Sequence, residues 1–270
     1  MTVSADPLPR ELAPGLFWLG ACLELPYEGS TLHSYDSVYL LRGHESSLLV
    51  EAGLPNDHRV VARQLDQLLA TGPELRHIWT THQETPHAGG VGRLLERYPR
   101  ADLRGNVQDY HLFFPQYEER FVPLAPGEAI DLGGTEFVAV EAVIRDLLTT
   151  QWGYDTRRRA LFPGDGFAYA HHHAASQCGC TAEEVSELDI SEMTGLFSDQ
   201  SLTWARYTDM EPYVARLERM VAELSVEVVG PTHGLPITDV DAVLPRILAG
   251  LRSSGGEGDV YRAGSSQSDC

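Results

Sequence analysis

Apolar and polar positions alternate along the first half of the chain in a pattern of short strands separated by amphipathic helices. Two apolar runs, at residues 38–41 and 48–50, flank a polar turn and predict a β-hairpin. Apolar residues recur at helical spacing over residues 57–69, which predicts a helix. A buried strand is predicted next at residues 77–80 and a second helix at residues 89–98. This order indicates an α/β protein.

The second half of the chain repeats that order. Strands are predicted at residues 137–140, 160–162 and 226–229, and helices at residues 211–224 and 240–251. The helix at 211–224 carries a continuous apolar stripe, which is typical of a helix that packs on a core. No linker separates the two halves, so a single domain is expected.

Composition changes near the C-terminus. Residues 253–270 are rich in Gly and Ser and nearly free of apolar side chains, which is typical of a flexible tail. We therefore expect one folded domain over residues 1–252 and a flexible tail over residues 253–270.

Charge and composition restrict the partners. The chain has 270 residues, and its 20 basic residues, all Arg, against 39 acidic ones give a net charge of −19. Such a field repels nucleic acid and anionic lipid, so neither is an expected partner. The chain has 4 cysteines, no signal-peptide pattern and no apolar run of about 18 residues, so a cytoplasmic location is expected.

Ligand-type side chains follow three of the predicted strands. The loop at residues 81–90 holds His82, Glu84 and His87 ahead of a glycine pair, and Asp165 and His233 stand in two further glycine-containing loops. Zn²⁺ and Fe²⁺ both accept such a mixed nitrogen and oxygen set. Two histidines five residues apart also fit an ordinary surface loop, but three such loops together predict a metal site.

These loops resemble the metal-binding loops of the metallo-β-lactamase superfamily. The segment Leu-Val-Glu-Ala-Gly at residues 49–53 is similar to the strand that usually reads Leu-Ile-Asp-Thr-Gly there, with Glu51 in place of the Asp that orients a ligand histidine. The resemblance covers residues 16–251. It implies an αββα sandwich with the metal site at one edge, between the two sheets.

The first loop is similar to one branch of that superfamily. In the superfamily as a whole this loop usually reads His-x-His-x-Asp-His, whereas this chain has His82-x-Glu84-x-Pro86-His87. A Glu at the second position resembles the flavodiiron and oxygen-binding diiron branch, as does the segment at residues 161–167. Pro86 stands where the family has a ligand Asp, and a proline side chain cannot coordinate a metal.

The resemblance implies a set of ligand residues for each of two metal ions. The central histidine of the family is expected about eight residues before Tyr154, where this chain has Asp146. The first metal is then expected to be bound by His82, Glu84, Asp146 and Asp165, and the second by His87, His233 and the bridging Asp165.

The donor set favours two iron ions, with zinc as the alternative. Three carboxylates and one imidazole form a hard, anionic set that stabilises Fe(III), whereas zinc hydrolases use several neutral imidazoles. The loss of a ligand at Pro86 weakens the second site, so occupancy by one metal is an alternative. No glycine loop for FMN is visible and the chain ends soon after the metal domain, so a separate electron-donor protein is expected.

Three functions remain open. The first is a stand-alone non-haem diiron oxidoreductase that binds, activates or reduces O₂, with or without oxidation of a small substrate. The second is a zinc-dependent hydrolase of an ester, thioester or phosphodiester. The third is a degenerate member that acts as a binding protein or sensor. Members of the family are often dimers, so a homodimer is also expected.

Two polar clusters have alternative interpretations. His171, His172 and His173 follow the Asp165 loop and fit either a pocket role, as wall, ligand or proton carrier, or a solvated polar run. The three arginines at residues 157–159 are expected to form a solvated turn between two strands, with an anion-binding role as the alternative.

Overall fold

The computed structural model describes residues 7–172, 177–186 and 188–254. Its strands are β1 (Arg10–Ala13), β2 (Leu16–Leu19), β3 (Cys22–Tyr27), β4 (Ser30–Tyr35), β5 (Val38–Arg42), β6 (Ser47–Val50), β7 (Leu75–Trp79), β8 (Asp102–Gly105), β9 (Phe121–Pro123), β10 (Ala129–Asp131), β11 (Glu136–Glu141), β12 (Gln151–Asp155), β13 (Ala160–Gly164) and β14 (Val228–Pro231). Its α-helices are α1 (His58–Leu69), α2 (Thr85–Ala88), α3 (Val91–Arg97), α4 (Tyr110–Phe113), α5 (Ile190–Ser201), α6 (Glu211–Glu223) and α7 (Val240–Ser253).

The strands form two large sheets and a separate hairpin. The first sheet has the order β1-β2-β5-β6-β7-β8-β9, and the second has the order β10-β11-β12-β13-β14. Strands β6 to β9 are parallel, as are β13 and β14. The carboxyl ends of the parallel strands β7, β13 and β14 carry most of the residues of the candidate site, as expected for open α/β sheets.

The core between the sheets follows from the two-residue period of the strands. Alternate side chains of β5, such as Tyr39, face the second sheet, and the residues between them face the helices α1 and α3. Tyr39 packs on Phe162 with ring centroids 5.3 Å apart, and Trp79 packs on Phe137 at 5.2 Å. Burial of both faces explains why these strands read as continuous apolar runs.

Helices cover the outer faces of both sheets. Val61 and Leu65 of α1 pack on the first sheet, and Leu217 of α6 and Ile247 of α7 pack with the second. The resulting order of layers is α, β, β, α, which confirms the predicted sandwich. No helix in the described ranges combines the length and the apolar character needed to cross a membrane.

The sequence pattern missed the short helices α2 and α4 and the longer helix α5. Helix α5 has a weak apolar stripe, but its N-terminus is capped by Asp189, whose side chain accepts a hydrogen bond from the backbone N–H of Glu192. An Asp three residues before a Glu is a recognisable helix start. The helix predicted at residues 89–98 is α3, and the short α2 precedes it.

The arginine turn is only partly solvated. The turn between β12 and β13 is where it was predicted, but Arg158 is buried, so the prediction is wrong for this residue. Its guanidinium binds Asp155 at 2.9 Å and the backbone carbonyls of Pro14 and Arg42 at 2.7 and 2.6 Å. The preference of Arg for several planar hydrogen bonds explains this position. Of the predicted tail, residues 255–270 lie outside the described residues.

Candidate metal centre

The site lies at one edge of the sandwich, where loops from both sheets meet. His82 follows β7, Asp165 follows β13 and His233 follows β14. His87 is carried by α2, and Asp146 lies in the loop between β11 and β12. The structure therefore brings together side chains that are up to 151 residues apart in sequence, from position 82 to position 233.

Three carboxylates surround the first imidazole. His82 is buried, and its Nε2 lies 3.6 Å from Oε2 of Glu84, 3.6 Å from Oδ2 of Asp146 and 3.7 Å from Oδ2 of Asp165. Glu84 is half exposed, whereas the side chain of Asp165 is 4% exposed. The predicted first group of residues therefore converges on one point.

The other oxygen of Asp165 faces the second pair of imidazoles. Its Oδ1 lies 3.4 Å from Nε2 of His87 and 3.7 Å from Nε2 of His233. The rings of His87 and His233 are perpendicular, with centroids 5.5 Å apart. Asp165 thus stands between two groups of donors, with one oxygen toward each.

The polar atoms in the middle of the site lie close together. Ligand atoms of His82, Glu84, His87 and Asp165 all lie within 4.8 Å of one another. Among the described residues, Nε2 of His82, Nε2 of His87 and Oδ1 of Asp165 have no hydrogen-bond partner. Buried polar atoms are costly unless they are satisfied, and atoms of these types can all bind a metal ion. The donor set therefore fits a metal ion.

The carboxylate of Glu51 connects the loops that carry the histidines of the site. Its Oε1 accepts hydrogen bonds from the hydroxyls of Thr81 at 2.6 Å and Thr232 at 3.1 Å, and from Nδ1 of His87 at 3.1 Å. The bond from Nδ1 fixes the tautomer of His87, so Nε2 presents its lone pair to the site. Glu51 adopts a φ of 66°, an uncommon value for a residue with a side chain.

Asp36, in the corner between β4 and β5, was missed by sequence reasoning. Nδ1 of His233 lies 3.0 Å from the carbonyl oxygen of Tyr35 and 3.2 Å from Oδ1 of Asp36. Both are acceptors, so Nδ1 carries the proton and Nε2 is available for a metal. No local signal marks Asp36, but Thr81 and Thr232 could have been found, since each directly precedes a predicted ligand histidine.

The departure at Pro86 has a structural role. Pro86 lies in the first turn of α2, where its missing N–H is tolerated, and this turn directs the fully buried His87 into the site. A side chain at Gly90 would collide with the carbonyl oxygen of Ala52, which explains the glycine at this position. Pro86 itself supplies no donor atom.

The carboxylates make the site attractive to positive charge. Burial raises the pKa of the Asp165 carboxyl, but the neighbouring imidazoles, that of His87 above all, outweigh it and hold the pKa below its ordinary value. Burial lowers the pKa of His87, whereas Asp165 and Glu51 raise it well above the usual value. The pKa of Asp146 is raised by burial and by Asp165. Protonated imidazoles or a metal ion would balance this excess of negative charge.

The histidine cluster borders the site through Tyr35. The ring of His171 stacks on Tyr35 with centroids 6.3 Å apart, and the carbonyl of Tyr35 is the one that contacts His233. His172 contacts a backbone carbonyl of β4 at 2.9 Å instead. His173 lies outside the described residues, so the pocket role of the cluster stays a prediction.

Comparison with known proteins identifies relatives of two kinds. The family model described as the metallo-beta-lactamase superfamily matches residues 34–183. A hydroxyacylglutathione hydrolase from Synechococcus sp. (strain JA-2-3B'a(2-13)) is 32% identical over 97 residues, which are 36% of this chain and 35% of that protein. The match thus spans about a third of the length of this curated relative.

Solved structures show the same fold at low identity. The flavodiiron protein from Giardia intestinalis has a TM-score of 0.72 and 14% identity, over 91% of this chain and 59% of that one. A diflavin flavoprotein fragment from Nostoc sp. PCC 7120 has a TM-score of 0.71 and 13% identity, over 95% of this chain and 97% of that one. At these identities the similarity concerns the fold alone.

Proposed function

The chain belongs to the metallo-beta-lactamase superfamily, and we propose that it is a non-haem diiron protein that binds, activates or reduces dioxygen. A pair of iron ions bound at the site would supply electrons to dioxygen and, where a small substrate is oxidised, accept electrons from it. In this proposal a separate donor protein delivers the reducing electrons.

The observation that carries this proposal is the set of three carboxylate oxygens around Nε2 of His82, at 3.6, 3.6 and 3.7 Å. They belong to Glu84, Asp146 and Asp165. A set with three anionic oxygens stabilises a metal in its higher oxidation state, which supports iron. The same set would weaken zinc as a Lewis acid, because anionic ligands blunt its effect on the pKa of bound water.

The second group supports binding of a small molecule. His87, His233 and Asp165 provide two imidazoles and one carboxylate, the combination found at iron sites with open positions. Glu51 and Asp36 hold the two imidazoles in one tautomer, so little rearrangement would accompany metal binding.

A zinc hydrolase is the second candidate. The observation that favours it is the 32% identity, over 97 residues, to a protein named hydroxyacylglutathione hydrolase. In that case His82, His87 and His233 would dominate the binding of zinc, which would supply an activated water for hydrolysis of an ester, thioester or phosphodiester.

Anaerobic loading with each metal separates the two candidates. The purified chain is stripped of metal, loaded with Fe(II) or Zn(II) without oxygen, and then mixed with oxygenated buffer in an oxygen electrode. We expect the Fe(II) form to consume oxygen in proportion to bound iron and to gain near-ultraviolet absorption. The Zn(II) form should consume none and should leave 4-nitrophenyl acetate intact.

Free iron also reacts with oxygen, so the control is the Asp165→Ala chain with the same total iron. This variant should show only the rate of free iron. Oxygen uptake no faster in the Fe(II) form than in this control, together with ester hydrolysis by the Zn(II) form, would overturn the diiron proposal.

A further inference from the structure

A groove beside the metal residues has no assigned role. It has a volume of about 500 Å³ and is lined by the loop at residues 142–148 and by Trp204 and Tyr213. Asp146 belongs both to this lining and to the carboxylates around His82. A molecule in the groove would therefore lie next to the candidate metal centre, and the volume suits a small organic molecule.

One part of the groove is apolar and exposed. The side chains of Leu147 and Leu148 are 39% and 94% exposed, and Trp204 packs against Tyr213 with ring centroids 5.3 Å apart. The indole N–H of Trp204 donates a hydrogen bond of 2.9 Å to the carbonyl of Arg145. This bond connects Trp204 to the loop that carries Asp146.

The other part of the groove carries positive charge. The guanidinium groups of Arg145 and Arg216 bind the two oxygens of one carboxylate, Glu141, at 3.0 and 3.2 Å. These three side chains sum to a net charge of +1, and a metal ion at the neighbouring site would balance the negative charge of Asp146, which also lines the groove. All three side chains are 41–53% exposed, so their donors can reach a ligand. In a chain of net charge −19, this is a local attraction for anions.

We propose that this groove binds the substrate of the metal centre as a small organic anion with an apolar body. Its carboxylate would contact Arg145 and Arg216, because a guanidinium group pairs well with a carboxylate. Its apolar part would cover Leu147, Leu148 and Trp204, and water released from these surfaces would favour binding. The statement that the bound molecule reacts rests on the proposed function, whereas the binding does not.

Calorimetric titration of the metal-loaded protein with three matched probes tests the binding. The probes are 4-phenylbutyrate, its neutral amide, and acetate, which lacks the apolar body. We expect 4-phenylbutyrate to bind more tightly than either of the others. Each of Arg145→Gln and Arg216→Gln should weaken 4-phenylbutyrate about three- to fivefold, the range for a partly exposed ion pair, and leave the amide unchanged.

The control is Arg219→Gln, on the same helix as Arg216 and outside the groove lining, which should leave all affinities unchanged. A carboxylate that binds only to the metal would be insensitive to both groove substitutions. Any of three results would overturn the inference. They are an affinity that neither groove substitution changes, an equal affinity for the acid and its amide, and an equal affinity for acetate and 4-phenylbutyrate. Oxygen uptake without probe binding contradicts only this inference, and probe binding without oxygen uptake contradicts only the proposed function.

Discussion

The position of Asp165 between two groups of donors makes a specific prediction about metal content. Its Oδ1 lies 3.4 Å and 3.7 Å from the imidazoles of His87 and His233, and its Oδ2 lies 3.7 Å from that of His82. Glu84 lies beside the imidazole of His82, with Oε2 at 3.6 Å from Nε2, and is assigned to the first group alone. Asp165→Ala should therefore lose both metals, whereas Glu84→Ala should lose mainly one.

The size of the effect follows from the number of donors removed. Losing an outer hydrogen-bond partner of a ligand costs about 10–100-fold in metal affinity, so losing a ligand should cost at least about 100-fold. For Asp165→Ala this loss applies at both positions, because each oxygen serves one group. For Glu84→Ala, Asp146 and Asp165 remain beside His82, and all three donors assigned to the second group are kept.

Elemental mass spectrometry after dialysis against a weak chelator measures the metal bound per chain. The native chain should retain about two metals, Glu84→Ala about one and Asp165→Ala about none. Glu218→Ala, an exposed carboxylate on α6, is the matched control and should match the native chain. Equal losses in the Glu84 and Asp165 variants, with both chains folded by circular dichroism, would refute the assignment of two sites.

Three further substitutions test the supporting contacts. Glu51→Gln should lower metal affinity by about 10–100-fold in a competitive chelator titration, because the carboxylate orients a ligand imidazole; an unchanged affinity would contradict that role. Asp36→Asn should lower the metal affinity about tenfold. A native affinity in this variant would show that the Tyr35 carbonyl alone is enough to orient His233. Arg158→Ala should lower the free energy of unfolding by about 3–5 kcal/mol in urea, because it leaves Asp155 charged and buried. The control is Arg157→Ala, at the neighbouring exposed arginine, which should change the free energy of unfolding by less than about 0.5 kcal/mol. Equal losses of stability in the two variants would contradict the structural role of Arg158.

Local sequence signals predicted much of the fold and the loops of the site. Continuous apolar runs marked β5 and β6, because both faces of these strands are buried. His82, Asp165 and His233 could be predicted as neighbours because each follows a strand, and the ends of such strands meet at one edge. The resemblance placed Asp146 near them from spacing, and the structure has it 3.6 Å from His82.

The features that were missed depend on contacts distant in sequence. Asp36 contacts a histidine 197 positions later, counted from position 36 to position 233, and no local pattern encodes such a contact. Arg158 has the same appearance in sequence as its two arginine neighbours, and only the approach of Pro14 and Arg42 makes it buried. The groove at Asp146 likewise requires a loop and two helical segments to meet.

The central claim is that the site holds iron rather than zinc, and metal content tests it most directly. The chain would be purified without added metal, and elemental mass spectrometry and an absorption spectrum would be recorded on the same sample. We expect about two irons per chain and a near-ultraviolet absorption that bleaches on reduction. Zinc without a chromophore, or a chain without metal whose stability is unchanged by added iron, would contradict it.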